Sequence, residues 1–366
     1  MVRRALKMLA MTAAMLAVMD LGVAGALSAL EASGKGGSIL RFFEYGRSVP
    51  GKLRAWVEHP DAPGNLFDVA WRASMIARSA ESFAAEDPSA PVVRVYGMSF
   101  VGNVVSAAAR QAPALRVEMH SGPGAPPNFT FAAFLDDRAN RRAGDVAVLG
   151  VLASSLHGMA SFSNRFWSFE QPAPFTYPIF LPDSADGLVR IEPVVETPEE
   201  ELAILADPAE GAAWRAQVAE VDRLYSREAF VAPALDVSPF FRLVRRSLAQ
   251  GAIERRKIAA VEEGGEFPVA EILRRMIAEF ARVAREDGQT PVVVLIQDQR
   301  GRRDLVDMVA PTLEETGVAV VASVEVADPR DPTAFVSDGH FRRRVDDRLG
   351  TLFLERLPPG FLDASR

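Results

Sequence analysis

From Pro91 onward, apolar runs alternate with helical patterns along the chain. "VVRVYGM" (92–98), "LRVEMHS" (115–121) and "DVAVLGVLA" (145–153) are short and rich in β-branched residues, which predicts strands. Between them, "VGNVVSAAARQ" (101–111) and "NFTFAAFLDDRANRR" (128–142) predict helices. The alternation resumes near residue 265: "VAEILRRMIAEFARVARED" (269–287) spaces its apolar residues by three and four, and "TPVVVLIQD" (290–298) predicts a strand. "DLVDMVAPTLEETG" (304–317) predicts a helix with a glycine stop, and "VAVVASVEV" (318–326) a further strand. A last helix, "FRRRVDDRLGTLFLERL" (341–357), carries Phe341, Val345, Leu349, Leu352 and Phe353 on one face and stops at Pro358-Pro359. Apolar strands alternating with helices predict an α/β fold, a five-stranded parallel sheet covered on both faces.

Two regions break the rhythm. Residues 31–90 read as a lead-in with one helix from Leu66 to about Ala85, and residues 156–265 as a long insertion between the third and fourth strands. The insertion opens on an aromatic, proline-rich piece and continues into charged helical sequence. Inserted there, it either lies over the carboxyl ends of the strands as a substrate lid or is a helical pair padding the surface. Its aromatics Phe162, Phe166, Trp167, Phe169 and Tyr177 fit stacking on sugar rings or simple apolar packing equally well. "SGKGGS" (33–38) lacks a preceding strand and a G-K-[ST] ending, and reads as a flexible linker rather than a phosphate loop.

The first 30 residues change the expected location. Arg3, Arg4 and Lys7 precede 23 residues, Met8 to Leu30, in which only Asp20 is charged. A helix of that length covers roughly 34 Å against a hydrocarbon core of about 30 Å. The basic flank would stay in the cytoplasm and the rest of the chain would cross, giving a single-pass anchor with a periplasmic or extracellular domain. A signal peptide cleaved near Ala24-Gly25-Ala26 and a merely buried helix of a soluble protein are the alternatives. Asp20 counts against both the anchor and the signal peptide, since a carboxylate at a helix centre costs about 2.5 to 3.5 kcal/mol on insertion, although just past the middle of the stretch it can be neutralised or paired.

Composition narrows the chemistry. The 366 residues are 49% apolar, enough for a substantial core, and carry a net charge of −7 with no basic run, which argues against nucleic acid as a partner. Cysteine is absent, excluding disulfides and thiolate metal sites. No metal-ligand spacing or cofactor motif appears, so neither metal nor cofactor is expected.

Only four histidines exist: His59, His120, His157 and His340. His59 reads as a surface turn residue, and His120 and His157 as structural histidines or pocket-lining residues near strand ends. His340 follows Asp338 by two positions; in an extended loop the carboxylate can reach the imidazole and fix its tautomer. Otherwise Ser337 or Asp338 caps the last helix and His340 is a first-turn residue. Ser99 lies after the first strand and His340 after the last, so both fall at carboxyl-terminal ends of parallel strands and can converge on one crevice. Ser99 also opens a helix, whose free N–H groups favour a developing oxyanion.

"YGMSFVGNV" follows G-x-S-x-x-G through Gly97, Ser99 and Gly102, not the G-x-S-x-G elbow, because Val101 stands after Phe100. With "SDGHF" near the C-terminus, it resembles the SGNH (GDSL-type) hydrolases and their acetyltransferase relatives over roughly residues 91–160 and 265–357. The resemblance implies a flavodoxin-like three-layer α/β/α sandwich, domain limits of 91–366, and a triad of Ser99, Asp338 and His340. It implies an oxyanion hole from the N–H of Ser99, a glycine in "HSGPGAPP" (Gly122 or Gly124), and a third-block residue. In the third block, "LGVLASSLHG", Ser154 or Ser155 stands where the family has asparagine, and Met98 replaces its acidic residue before the serine. Asn103 or Asn128 are the alternative donors. The implied function is a serine esterase or O-acyltransferase acting on ester, chiefly acetyl, groups of envelope or extracellular polysaccharide. An inactive member of the fold that binds polysaccharide or supports its biosynthesis and export machinery is the other expectation.

Overall fold

The computed structural model describes residues 2–35, 39, 40, 43, 49–62, 64–87, 90–169, 171–184, 187–230, 234–262 and 264–364. Residues 36–38 of the expected linker lie outside them. The chain divides into two compact units: Met1–Phe67 with Asn164–Pro174 and Leu224–Arg256, and Asp68–Ser163 with Phe175–Arg223 and Lys257–Arg366. The expected lead-in thus divides after Phe67, and the insertion contributes to both units.

The second unit holds the sheet. Its elements, in chain order, are β1 (Val93–Gly97), α1 (Ser99–Gln111), β2 (Val117–Ser121), α2 (Pro127–Asp136), β3 (Val146–Leu152), β4 (Ile179–Pro182), β5 (Leu188–Ile191), α3 (Val269–Glu286), β6 (Thr290–Ile296), α4 (Leu305–Thr316), β7 (Ala319–Ala322) and α5 (Arg343–Glu355). Five strands pair in the order β2-β1-β3-β6-β7, every pair parallel, as the alternation predicts. Leaving out the separate antiparallel hairpin β4-β5, that is the doubly wound order 2-1-3-4-5, whose switch point lies between β1 and β3. β1 and β3 are buried throughout, whereas β2, at the edge, is half-exposed.

Each helix buries the stripe its sequence supplies. On α3 the buried residues Ile272, Leu273, Met276, Ile277, Phe280 and Ala284 recur at three and four, and α3 packs on α2, α4 and β6. α5 packs along α1 with Val345, Leu349 and Phe353 buried. α4 begins at Asp304, whose carboxylate accepts the Asp307 N–H, and ends at Gly317 in the left-handed conformation (φ 56°).

Three details differ from expectation. The helix expected from Leu66 begins at Arg72, after Ala70 adopts φ 64° and Trp71 is extended. β7 stops at Ala322 because Ser323 accepts the Gln297 N–H through its hydroxyl at 2.8 Å and turns into a three-ten turn. The hairpin β4-β5, inside the insertion, has no counterpart in the predicted alternation.

In the first unit, the helix Val2–Ala32 is long and apolar enough to cross a membrane. Its single acidic residue within the apolar stretch is paired: Asp20 Oδ1 accepts from the Ser238 hydroxyl (2.5 Å) and the Phe240 N–H (3.0 Å) at the start of the helix Pro239–Val261. Phe166 stacks on Phe230 at 5.0 Å in the same unit.

At the amino end of the sheet, Arg94 on β1 is fully buried between Glu86 (2.6 Å) and Asp145 (2.8 Å), and Asp145 also accepts the Val92 and Arg142 N–H groups. Removing one partner of a buried pair strands the other charge. Arg94→Leu is expected to lower unfolding stability by about 3–5 kcal/mol, read by urea denaturation.

Candidate active site

The nucleophile candidate is placed by close packing of glycines. Ser99 is the first residue of α1, reached from β1 through the extended Met98. For the helix to start so abruptly, Val101 must fold against the strand ends: a Cβ on Gly150 of β3 would lie 2.7 Å from Val101 Cγ2 and 3.1 Å from Gly97 Cα. Glycine at 97 and 150 therefore lets the β1–α1 corner sit against β3. Gly102, by contrast, meets only the far end of the Met119 side chain, at 3.2 Å.

His340 arrives from the segment between β7 and α5, the helix packed along α1. Val336 N–H donates to His340 O at 2.8 Å and Gly339 N–H to Val336 O at 3.0 Å, closing a tight turn in which Gly339 takes φ 96°. The turn folds the Asp338 carboxylate back on His340: Oδ1 accepts the His340 N–H at 2.9 Å and lies 3.1 Å from Nδ1. The two residues meet through a left-handed turn, not through an extended loop. Asp338 caps no helix; the cap position before α5 is Arg342. The His340 backbone and ring hold the Asp338 carboxyl below its ordinary value.

Ser99 Oγ and His340 Nε2 are 2.7 Å apart. With the ring proton on Nδ1, where the carboxylate favours it, Nε2 accepts from the serine hydroxyl. Phe100 stacks on the imidazole at 4.6 Å and 25°, and Phe341 meets Phe100 edge-on at 5.4 Å. Ser99, Asp338 and His340, distant in sequence, thus form one hydrogen-bonded chain at the carboxyl ends of β1 and β7, with the geometry general-base activation of a hydroxyl requires.

The oxyanion candidates separate. Ser99 N–H lies in the first turn of α1, where backbone donors have no intrahelical acceptor. Gly122 N–H is occupied by Gly97 O at 3.3 Å, extending the β1–β2 ladder. Gly124, half-buried at φ 60°, keeps an N–H with no acceptor among the described residues. The Ser155 hydroxyl is buried and donates to Leu152 O at 2.9 Å, turned from any substrate, while the half-buried Ser154 spends its N–H on Asp298 (3.1 Å) but not its hydroxyl. Asn128 is buried and donates to Pro178 O at 2.8 Å; Asn103 is exposed one turn along α1 from Ser99.

The other histidines lie elsewhere. His120 is buried, stacked on Tyr96 at 5.0 Å and 3.4 Å from Asp137, and burial outweighs that carboxylate to push it down to about 4. Burial, with Lys257 adding to it, pushes His157 down to about 3. His59 is exposed in a turn after the helix Val49–Glu58. Phe162, Phe166, Phe169 and Tyr177 are buried, so they pack within their units rather than offer rings to a sugar; Trp167 is half-buried. Among the described residues no three acidic or histidine side chains converge as metal ligands.

One residue beside the site has no counterpart among the candidates read from the sequence. Asp346, in the first turn of α5, is 7% exposed, and its Oδ1 has no hydrogen-bond partner. Burial, then Asp347, pushes its carboxyl up to about 6 against the opposing pull of His340 and Arg110. Its signal is faint: it sits in "RRRVDDR", which reads as a solvated charged face, although its i+4 neighbour is Gly350.

No family model, curated protein or solved structure matches the chain.

Two outcomes test this geometry. Gly339→Ala forces a side chain into φ 96° and is expected to lower stability by about 1–2 kcal/mol and to weaken the Asp338–His340 contact, read as the loss of the downfield Nδ1 proton resonance. Asp346 has a raised folded value, so the folded state holds its proton longer than the unfolded chain and stability falls as pH rises through the range from its ordinary value to about 6. Asp346→Asn is therefore expected to unfold at higher temperature than the parent at about pH 8, with the gain absent at about pH 4.

Proposed function

We propose that the sheet unit is a serine esterase or O-acyltransferase of the SGNH (GDSL) type, a three-layer α/β/α sandwich acting through an acyl-enzyme. What carries the reading is the 2.7 Å contact between Ser99 Oγ and His340 Nε2, backed by Asp338. Supporting it are the 2-1-3-4-5 strand order and the grouping of α1 with α5 and of α2 with α3 and α4, which suits helices on opposite faces.

In this mechanism Ser99 Oγ attacks the ester carbonyl carbon as its proton passes to His340 Nε2, and the carbonyl π electrons move to oxygen. Collapse of the tetrahedral intermediate expels the alkoxide, which takes the proton from His340 and leaves acyl-Ser99. Water or a sugar hydroxyl then repeats the sequence in reverse. Asp338 stabilises the imidazolium without taking its proton. Donors for the oxyanion are the Ser99 N–H, with Gly124 N–H and the Ser154 hydroxyl as candidates to complete the hole.

The substrate class, acetyl esters on envelope or extracellular polysaccharide, follows from the family resemblance and from an N-terminal anchor that would hold the unit outside the cytoplasmic membrane. A second reading has its own observation. Because Gly122 N–H and the Ser155 hydroxyl are both occupied, the oxyanion supply is thin, which favours an inactive member that binds polysaccharide or supports its export.

Incubating the full-length protein with a fluorophosphonate and with an activated acetyl ester separates the two. The esterase reading expects one label, on Ser99, abolished in Ser99→Ala. It expects His340→Ala to lose about 10² to 10⁴-fold in kcat/KM, and Asp338→Ala, whose carboxylate is 67% exposed, to lose less. An unlabelled Ser99 and turnover no greater than that of Ser99→Ala would leave the binding protein.

A further inference from the structure

α1 and α5 touch closely at Gly350, where a Cβ would lie 2.7 Å from Ala108 N and 3.0 Å from Ala107 C. The same helices flank an open pocket of about 290 Å³, lined along α1 by Asn103 near its start and Arg110 in its last turn, and on α5 by Arg343 and Asp346 in its first turn. It is adjacent to the triad on both sides: Asn103 follows Ser99 by four residues on α1, and Arg343 follows His340 by three. Residues four apart on a helix stand about 5–6 Å apart on one face.

The pocket's chemistry is specific. Asp346 is more than nine-tenths buried and its Oδ1 is without a donor, a deficit that a ligand hydroxyl would relieve. The two arginines are steadied by a second carboxylate: Asp347 Oδ1 lies 3.0 Å from Arg110 Nη2, and its Oδ2 3.8 Å from Arg343 Nε. Asp347 is not part of the lining, but it pairs with both lining arginines, so together with Asp346 two carboxylates balance the two guanidinium groups and little net charge is left to select an anion. Every lining side chain is polar, which disfavours an acyl tail.

We propose that this pocket is a subsite for a neutral, hydroxyl-rich group, a sugar ring without a carboxylate, with one hydroxyl donating to Asp346 Oδ1 and others accepting from the Asn103 amide and the arginine N–H groups. The proposal rests on the esterase reading only for its purpose: the ring is then the carbohydrate part of the ester or the acceptor alcohol, held one helical turn from Ser99. Neutral rather than uronic sugar is what the charge balance selects. The raised Asp346 carboxyl agrees with a site built for hydrogen bonding rather than for a cation.

The test uses full-length Ser99→Ala protein, which cannot turn over, in a phosphocholine detergent that brings no sugar headgroup. Saturation-transfer NMR is run with methyl glucoside and with methyl glucuronoside. Expected are transfer to the glucoside, glucuronoside binding weaker by about tenfold or more, and weakening of the glucoside by about tenfold in each of Asp346→Asn and Asn103→Ala. Asn103 is exposed, so its variant tests the subsite without disturbing a buried side chain. Absence of transfer, stronger binding of the glucuronoside, or affinity unchanged by Asn103→Ala overturns the subsite. Fluorophosphonate labelling of the parent protein runs beside it: label without sugar binding removes the subsite and keeps the esterase, and sugar binding without label does the reverse.

Discussion

The contact between α1 and α5 at Gly350 sets the geometry on which the rest depends. Two helices meet backbone to backbone only where a side chain is missing, and here the Cβ of any other residue would collide with main-chain atoms of Ala107 and Ala108, which cannot rotate away. That contact, with the Arg110–Asp347 and Gln111–Asp347 bonds beside it, fixes the spacing of the two helices along their length. Their N-terminal ends carry Ser99 and the His340 turn. A hydrogen bond of 2.7 Å between elements 241 residues apart is thus a consequence of packing further along the same two helices.

The same constraint explains how unevenly the site is supported. His340 is held by a ring stack, two turn hydrogen bonds and a carboxylate, yet that carboxylate is two-thirds exposed and bonded in water. Its electrostatic help is correspondingly screened, so the aim of the ring owes more to the turn and to Phe100 than to charge, while the tautomer rests on the Asp338 contact at Nδ1. Around the expected oxyanion position, backbone and hydroxyl groups have instead been drawn into the scaffold, Gly122 into the ladder and Ser155 onto β3. The scaffold is tight where the general base is held and sparing where negative charge would develop.

Much of this is legible in the sequence because the periodicities are strong: five apolar runs alternating with amphipathic helices leave few other arrangements, and scarcity of histidine isolates His340. What is not legible depends on interactions without a local pattern. The hairpin β4-β5 hides in a proline-rich stretch whose aromatics look available for sugar but are buried. Gly350 reads as a costly glycine inside a helix until its partner helix is known. Asp346 stands beside Asp347 among arginines, and only tertiary packing distinguishes the buried one from the half-buried one. The spacing of Asp338 and His340 points to their pairing, although Gly339, which makes so short a spacing work, supplies a turn in place of an extended loop.

The N-terminal helix adds a constraint of its own within the first unit. Residues 3–15 are exposed on every side, whereas from Leu16 a stripe through Met19, Asp20, Val23, Leu27 and Leu30 is partly covered. The bare part is roughly 20 Å long, short of a hydrocarbon core of about 30 Å. A helix that spans the bilayer must therefore take the Asp20 level in with it, and the hydroxyl of Ser238 and the N–H of Phe240 would go too. Asp20 is then tolerable in an apolar surrounding because the N-terminal end of the helix Pro239–Val261 comes to it, bringing both donors and a favourable dipole. The residue that weighs most against a membrane helix in the sequence is, in the folded unit, one that bonds that helix to its neighbour.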